Sequence, residues 1–191
     1  MAHASEKPFL MPVSDVFRPQ QGRVVMAVGL IERGRVRQGD VVEIVGPDGG
    51  ATAVVADIEQ SRTRIGEASA EMNVGLFLQD VAADAVGRGQ VLAMPGSIGA
   101  QVAFSADITL LSEEQGSGDV GSGDRLLFYP RTAAVWGTVT LPEGADVVRP
   151  LHGGEVTVVL DEAVALEEGQ TFAFRRKGRA AGSGTVTQLL R

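Results

Sequence analysis

Alternation of apolar and polar residues is the dominant pattern along the chain, and it predicts short β-strands. The clearest run places apolar side chains at every second position, at Val102, Phe104, Ala106, Ile108 and Leu110. A period of two residues is typical of a strand with one buried face. Sustained helical periodicity does not occur, and the pattern leaves room for only about one helical turn, within residues 80–86.

The remaining apolar segments predict further strands that are equally short. They are Ala51–Ile58, Asn73–Leu78, Gln90–Ala93, Gly137–Leu141, Glu155–Leu160, Thr171–Phe174 and Thr185–Leu190. Many short strands at regular spacing favour closed barrels, and Met94–Gly99 is the best candidate boundary. The sequence therefore predicts an all-β protein with two consecutive closed β-barrels, residues 7–96 and 97–191, after a disordered tail of residues 1–6.

The charge and composition limit the classes of partner. The chain carries a net charge of −7 and has no cysteine. Sequence-independent binding to nucleic acid needs a basic surface, so any such contact must depend on local patches. There is no disulfide or thiolate metal site, no apolar run long enough to span a membrane, and no signal peptide at the N-terminus. We expect a cytoplasmic protein with no membrane partner.

Motifs for catalysis and for nucleotide binding are missing or incomplete. A phosphate-binding P-loop needs a Gly-Lys-Ser/Thr sequence, and Lys7 and Lys177 lie in no such setting. A G-x-G-x-x-G pattern occurs at Gly116, Gly118 and Gly121, but a strand-like segment follows it instead of a helix, which favours a flexible loop. We expect a protein that is not an enzyme, with no cofactor, no metal and no GTP binding from this chain alone.

Several stretches follow the order and nearly the spacing found in one translation-factor family. They are Lys7–Phe17, Gly22–Gly29, Ile31–Gly46, Asn73–Gly75, Arg88–Ile98, Leu141–Gly144 and Val164–Gly169. Through these stretches, and along about the whole chain after residue 6, the sequence resembles the second and third domains of bacterial elongation factor Tu. The resemblance implies the two β-barrels of that family without its GTPase domain.

The resemblance also implies a binding pocket, because the second domain of that family holds the aminoacylated 3′ end of tRNA. The matching positions are Asp15, Phe17, Met26, Val28, Glu59, Arg62, Asn73 and Phe77. Aromatic and apolar side chains would contact the terminal adenine, and Arg62 would reach sugar or phosphate oxygens. Asp15 and Asn73 would accept hydrogen bonds from the α-amino group. In the third domain, Arg175, Arg176, Lys177 and Arg179 are a candidate patch for tRNA phosphates, and the alternative is a solvated hairpin.

Several positions differ from the family pattern. At the implied pocket, Ser14 replaces Glu, Val28 replaces Thr, and Arg18–Gln21 contains an extra residue. In the third domain, Gly116–Gly123 replaces a segment with histidine and aromatic residues, and the run Arg125–Thr132 is also altered. In the family this region grips the T-stem of tRNA and meets the GTPase domain, so both contacts are expected to differ here.

Two main hypotheses follow. In the first, the chain is a stand-alone, GTPase-less elongation-factor-Tu-like protein that binds aminoacyl-tRNA for translation or for a tRNA-dependent biosynthetic enzyme. In the second, it is a decoy or interaction module that binds translation-factor partners or sequesters antibiotics aimed at elongation factors. A GTPase domain supplied in trans is a third and weaker hypothesis, because an interdomain contact would constrain the altered region Gly116–Thr132.

Overall fold

The computed structural model describes residues 6–19 and 24–191. The predictions made for residues 1–5, and for Gln20 and Gln21, lie outside the described residues. Strands dominate, and short 3-10 turns occur at Ala83–Ala85 and Glu113–Gln115. The prediction of an all-β fold is confirmed. The chain divides into two compact units, Met1–Gly99 and Ala100–Arg191, which are described separately below.

The first unit contains ten strands in its described residues. They are β1 (Leu10–Pro12), β2 (Asp15–Phe17), β3 (Val25–Leu30), β4 (Arg35–Arg37), β5 (Val41–Val45), β6 (Thr52–Gln60), β7 (Thr63–Ile65), β8 (Glu67–Ser69), β9 (Asn73–Gln79) and β10 (Val91–Ala93). Seven of them form an antiparallel sheet in the order β1-β10-β5-β6-β9-β3-β2, and β7 adds to β6. The strands β4 and β8 pair separately.

The large sheet of the first unit curls strongly because its two edge strands are consecutive in sequence. Only Val13 and Ser14 separate β1 from β2, which lie at opposite ends of the strand order. The edge strand β1 approaches β3, which is the neighbour of β2 at the other edge. A Cβ on Gly29 of β3 would lie 2.1 Å from the carbonyl oxygen of Pro12 in β1. Pro12 has no N–H to donate to a closing ladder. Among the described residues the sheet therefore stays open, which differs from the closed barrel expected for residues 7–96.

Strand β3 shows how the sheet separates its core from its surface. Val25 and Ala27 are buried in the core, whereas Met26 and Val28 are half-buried on the opposite, outer face. Successive side chains of a strand point to opposite faces, so each strand supplies both the core and the outer surface. The outer face of β2, β3, β9 and β6 carries the candidate site.

The second unit is a closed barrel with a two-stranded ribbon beside it. Its strands are β11 (Gly99–Leu110), β12 (Val120–Gly121), β13 (Arg125–Tyr129), β14 (Val135–Thr140), β15 (Val147–Val148), β16 (Gly153–Leu166), β17 (Thr171–Arg176) and β18 (Arg179–Leu190). The barrel order is β11-β16-β14-β13-β17-β18, and β18 pairs with β11 to close it. Its core contains a cluster of edge-to-face and tilted aromatic rings, formed by Phe104, Phe128, Phe172 and Phe174.

The glycine-rich segment 116–123 is organised by a short strand instead of forming a featureless loop. Val120 is fully buried and pairs with Val148 of β15. The side chain of Asp124 accepts a hydrogen bond of 2.8 Å from the N–H of Gly121. No helix follows the glycines, in agreement with the interpretation that this segment is not a dinucleotide-binding motif. No helix among the described residues is long and apolar enough to cross a membrane.

Candidate functional site

Seven of the eight side chains expected at a pocket lie on the outer face of the sheet in the first unit. Residues directly opposite each other in an antiparallel ladder share a face. One row across the strands consists of Phe17, Met26, Phe77 and Asp57. The next row consists of Asp15, Val28, Gly75 and Glu59. Asn73 lies two residues before Gly75 on β9 and therefore faces the same way.

A small open cavity lies within this face, and Gly75 is one of its lining residues. The cavity has a volume of about 300 Å³ and is lined by Met26, Val28, Glu59, Ser61, Asn73, Val74 and Gly75. A Cβ on Gly75 would lie 2.8 Å from the sulfur of Met26, so the Met26 side chain lies across the glycine. Four of the expected pocket residues thus line one cavity, whereas Asp15, Phe17, Arg62 and Phe77 do not.

Phe77 is covered by an arginine that the sequence pattern did not reveal. The Cζ atom of Arg64 lies 4.0 Å from the centroid of the Phe77 ring. Arg64 Nη1 is 3.0 Å from Asp57 Oδ2, and Arg64 Nε is 3.9 Å from Glu59 Oε2. A planar guanidinium stacks well on an aromatic face. The sequence feature that could have indicated this contact is the two-residue turn at 61–62, because such a turn places Arg64 opposite Glu59 in a hairpin.

Arg62 is the expected site residue that the sheet does not carry on its outer face. It forms, with Ser61, the two-residue connection between β6 and β7. Both residues have positive φ, 48° for Ser61 and 65° for Arg62, as a type I′ hairpin turn requires. The Arg62 side chain is exposed at the tip of this hairpin, beside the edge of the cavity that Ser61 lines.

The edge strand β2 presents Asp15 and Phe17 to solvent. Phe17 is 52% exposed, which is unusual for a large aromatic side chain in an isolated domain. Asp15 is exposed, and its carboxylate accepts a hydrogen bond from the N–H of Val16. The hydroxyl of Ser14 donates to the carbonyl oxygen of Val28 at 2.9 Å, so this side chain is committed to the backbone.

The described part of the lengthened segment is anchored elsewhere. Arg18 donates hydrogen bonds to the carbonyl oxygens of Ala83 and Val86, at 2.9 and 2.7 Å. Arg18 and Pro19 line a different cavity, with Asp80 and Val81. Neither of them lines the cavity at Gly75.

The basic cluster of the second unit is divided between two environments. Arg176, Lys177 and Arg179 line a cavity of about 430 Å³ together with residues 116–119. Arg176 donates to the carbonyl oxygen of Asp119 and pairs with Asp124 at 3.4 Å. Arg175 does not line this cavity, and its Cζ lies 5.4 Å from the Tyr129 ring centroid. Three of the four expected phosphate-binding residues are therefore together, and one of them is already partly neutralised.

No group of three or more His, Asp or Glu side chains in residues 6–19 and 24–191 is arranged to hold a metal ion. Glu167 Oε1 pairs with Nη2 of the buried Arg131 side chain at 2.9 Å. That contact belongs to the interior of the second unit and joins the turn after β13 to the turn after β16.

Residues 97–190 match the family model of the elongation factor Tu C-terminal domain. The matched range covers almost the whole of the second unit.

Proposed function

We propose that the protein has a role like that of a translation factor and that its first unit binds the aminoacylated 3′ end of tRNA; the match of residues 97–190 to the elongation factor Tu C-terminal domain supports the general role. The protein would act in translation or in tRNA-dependent biosynthesis, without catalysing a reaction. The observation that carries the proposal is the strand register, which gathers Asp15, Met26, Val28, Glu59 and Asn73 on one face. The last four of these line one cavity.

The chemistry of this face matches a charged tRNA terminus. Met26 and Val28 offer an apolar surface to a base. The carboxylates of Asp15 and Glu59, and the amide oxygen of Asn73, can accept hydrogen bonds from an α-ammonium group and from ribose hydroxyls. A cavity of about 300 Å³ accommodates a nucleoside end but not a stem. The face is therefore suited to an end of the RNA and not to its double-stranded part.

The test is a gel shift of the full chain with aminoacyl-tRNA and with the same tRNA after deacylation. We expect tighter binding of the charged tRNA, because only that tRNA presents the ammonium group to Asp15 and Asn73. The Asp15→Asn variant should lose most of this preference. Asp107→Asn, which changes an exposed strand carboxylate of the second unit, is the matched control and should retain it. Equal and weak binding to both tRNAs would overturn the proposal.

A second candidate function, binding of a translation-related protein partner, is favoured by the outer face of the barrel. Trp136 of β14 is 46% exposed and Val159 of β16 is 49% exposed. Leu127 lies directly opposite Trp136 and extends the apolar surface. Exposed tryptophan side chains are frequent anchors of protein interfaces. A pull-down from lysate should capture a partner with the parent chain but not with Trp136→Ala; capture by neither would count against this function.

The same hypothesis includes sequestration of an antibiotic that targets elongation factors. Such a compound would bind the first unit, and a thermal-shift series with these antibiotics would detect it. A melting temperature that none of them raises would argue against sequestration.

A further inference from the structure

We propose that Arg64 is a specificity-determining residue of the first-unit site, because it covers the ring of Phe77 and a base must displace it to stack there. This inference rests on the proposed function, since it concerns the way in which the same face accepts its ligand. Arg64 is not among the positions that the family resemblance implies.

The geometry shows why Phe77 is separated from the cavity. Phe77 lies next to Met26 across the ladder, and Met26 lines the cavity, yet Phe77 does not. The guanidinium of Arg64 lies 4.0 Å from the ring centroid, which is the distance of a stacked planar group. If this guanidinium moves away, the apolar surface of Met26 becomes continuous with the exposed face of the ring.

Two carboxylates hold Arg64 in this position. Asp57 lies opposite Phe77 in the ladder and accepts a hydrogen bond of 3.0 Å from Arg64 Nη1. Glu59 lies opposite Arg64 in the hairpin and approaches Arg64 Nε at 3.9 Å. Glu59 also lines the cavity, so a ligand that engages its carboxylate competes directly with Arg64. Displacement of the arginine and binding of the ligand are thereby linked through one side chain.

The contacts that hold Arg64 are weak enough for a ligand to break. Its side chain is 54% exposed, and both ion pairs are at the surface. An exposed cation–π contact and exposed ion pairs together correspond to a change in affinity of roughly tenfold. Arg64 therefore lowers the affinity of the site for a ligand without closing the site. A ligand that has both a base and a group that engages Glu59 can displace Arg64 and still bind. A base alone displaces Arg64 less readily and binds with lower affinity.

The experiment measures binding of an aminoacyl-adenosine with an amide link at the 3′ carbon to the full chain, by calorimetry. This probe carries no phosphate, so the general electrostatics of RNA binding do not contribute. We expect Arg64→Ala to bind the probe roughly tenfold more tightly than the parent chain. Arg35→Ala is the matched control, because Arg35 is also exposed and paired with a carboxylate, Glu67, but lies in β4.

A second readout separates this role from a merely structural one. In NMR spectra of the parent chain, the Nε–H resonance of Arg64 should be shifted upfield by the Phe77 ring and should return towards its usual position as the probe is added. In a Phe77→Leu background, Arg64→Ala should give less gain in affinity.

The outcomes distinguish the inference from the proposed function. If the parent chain binds the probe and Arg64→Ala binds it equally or less tightly, the inference is overturned and the proposed function stands. If neither chain binds the probe, both are overturned.

Discussion

At the scale of single residues, Gly75 allows the position of Met26, and both residues line the first-unit cavity. Its neighbours across the ladder, Val28 and Glu59, carry side chains that stand on either side of it. Because Gly75 has none, the Met26 side chain can lie across the sheet at this point. The missing Cβ thus gives room to the Met26 side chain, which in turn lines the cavity.

The Gly75→Ala variant tests this role. The new Cβ would meet the flexible end of Met26 at 2.8 Å, so Met26, which lines the cavity, must move. We expect a loss of stability of about 1 kcal/mol, as for modest overpacking, with a larger proportional loss of binding. Denaturant unfolding and probe calorimetry measure the two effects. Gly66→Ala, where a Cβ meets nothing within 4 Å, is the control; unchanged probe binding in Gly75→Ala would contradict this account.

At the scale of elements, the β6–β7 hairpin brings Arg62 and Arg64 to the site and holds the backbone of Arg62 in an unfavourable conformation. A left-handed backbone conformation is unfavourable for most residues. Arg62 adopts it at φ 65°, where glycine is the usual residue of a type I′ turn. A costly position that carries an exposed guanidinium is consistent with a role in binding.

Arg62→Gly should separate stability from binding. Removing the side chain relieves the left-handed strain, and we expect the unfolding free energy to rise by up to about 1 kcal/mol. Affinity for aminoacyl-tRNA should fall, since a guanidinium that reaches phosphate or sugar is lost. The control is Arg37→Gly in β4, where the backbone is extended and glycine should destabilise. A lower melting temperature for Arg62→Gly than for the parent chain would show that the turn is not strained.

A bidentate ion pair links β13 and β16 of the barrel. Arg125 Nη1 and Nη2 donate to the two carboxylate oxygens of Asp161, at 2.7 and 2.6 Å. These hydrogen bonds, helped by the charge of the guanidinium, lower the pKa of Asp161 and raise that of Arg125. Both groups are at the surface, so their contribution to stability is small.

The pH dependence of this pair has a definite sign. A carboxyl group whose pKa is lower in the folded state stabilises the fold above its unfolded pKa, and this is lost as the pH falls through the folded pKa. Asp161→Asn should therefore lower the melting temperature slightly at neutral pH, and the difference should vanish in acid. Thermal melts across acidic pH provide the measurement. In an Arg125→Ala background the same substitution should have little effect at any pH; a difference that persisted there would exclude the pair as its cause.

At the scale of the whole molecule, a net charge of −7 means that affinity for RNA must come from local sites. The cavity at Arg176, Lys177 and Arg179 offers three cations, and Asp124 partly neutralises the first. Such a surface can contact few phosphates. The protein should therefore depend on recognition of the charged end more than on electrostatic attraction to the stem.

The salt dependence of aminoacyl-tRNA binding tests this balance. With two or three phosphate contacts, the slope of log Kobs against log salt should be about −2 to −3. The Lys177→Ala variant should make the slope shallower by about one, while the preference for charged over deacylated tRNA is retained. Gel shifts over a salt series measure both. A slope as steep as about −6 would show that unidentified phosphate contacts dominate.

The sequence by itself determined the β class and the buried face of β11. Alternation with a period of two is a local property, so Phe104, Ala106, Ile108 and Leu110 could be assigned to the buried face of β11 without knowledge of the fold. The family resemblance covers the same residues, and residues 97–190 match its C-terminal domain.

Tertiary structure alone decided the features that depend on pairing between distant segments. A β-bulge between Val55 and Asp57 shifts the register and brings Asp57 to the outer face beside Phe77, which alternation cannot predict. The hairpin places Arg64 over that ring, and the pairing of β12 with β15 orders a glycine-rich segment. Register is set by contacts across the sheet, so a local pattern identifies the face of a residue but not its neighbours on that face.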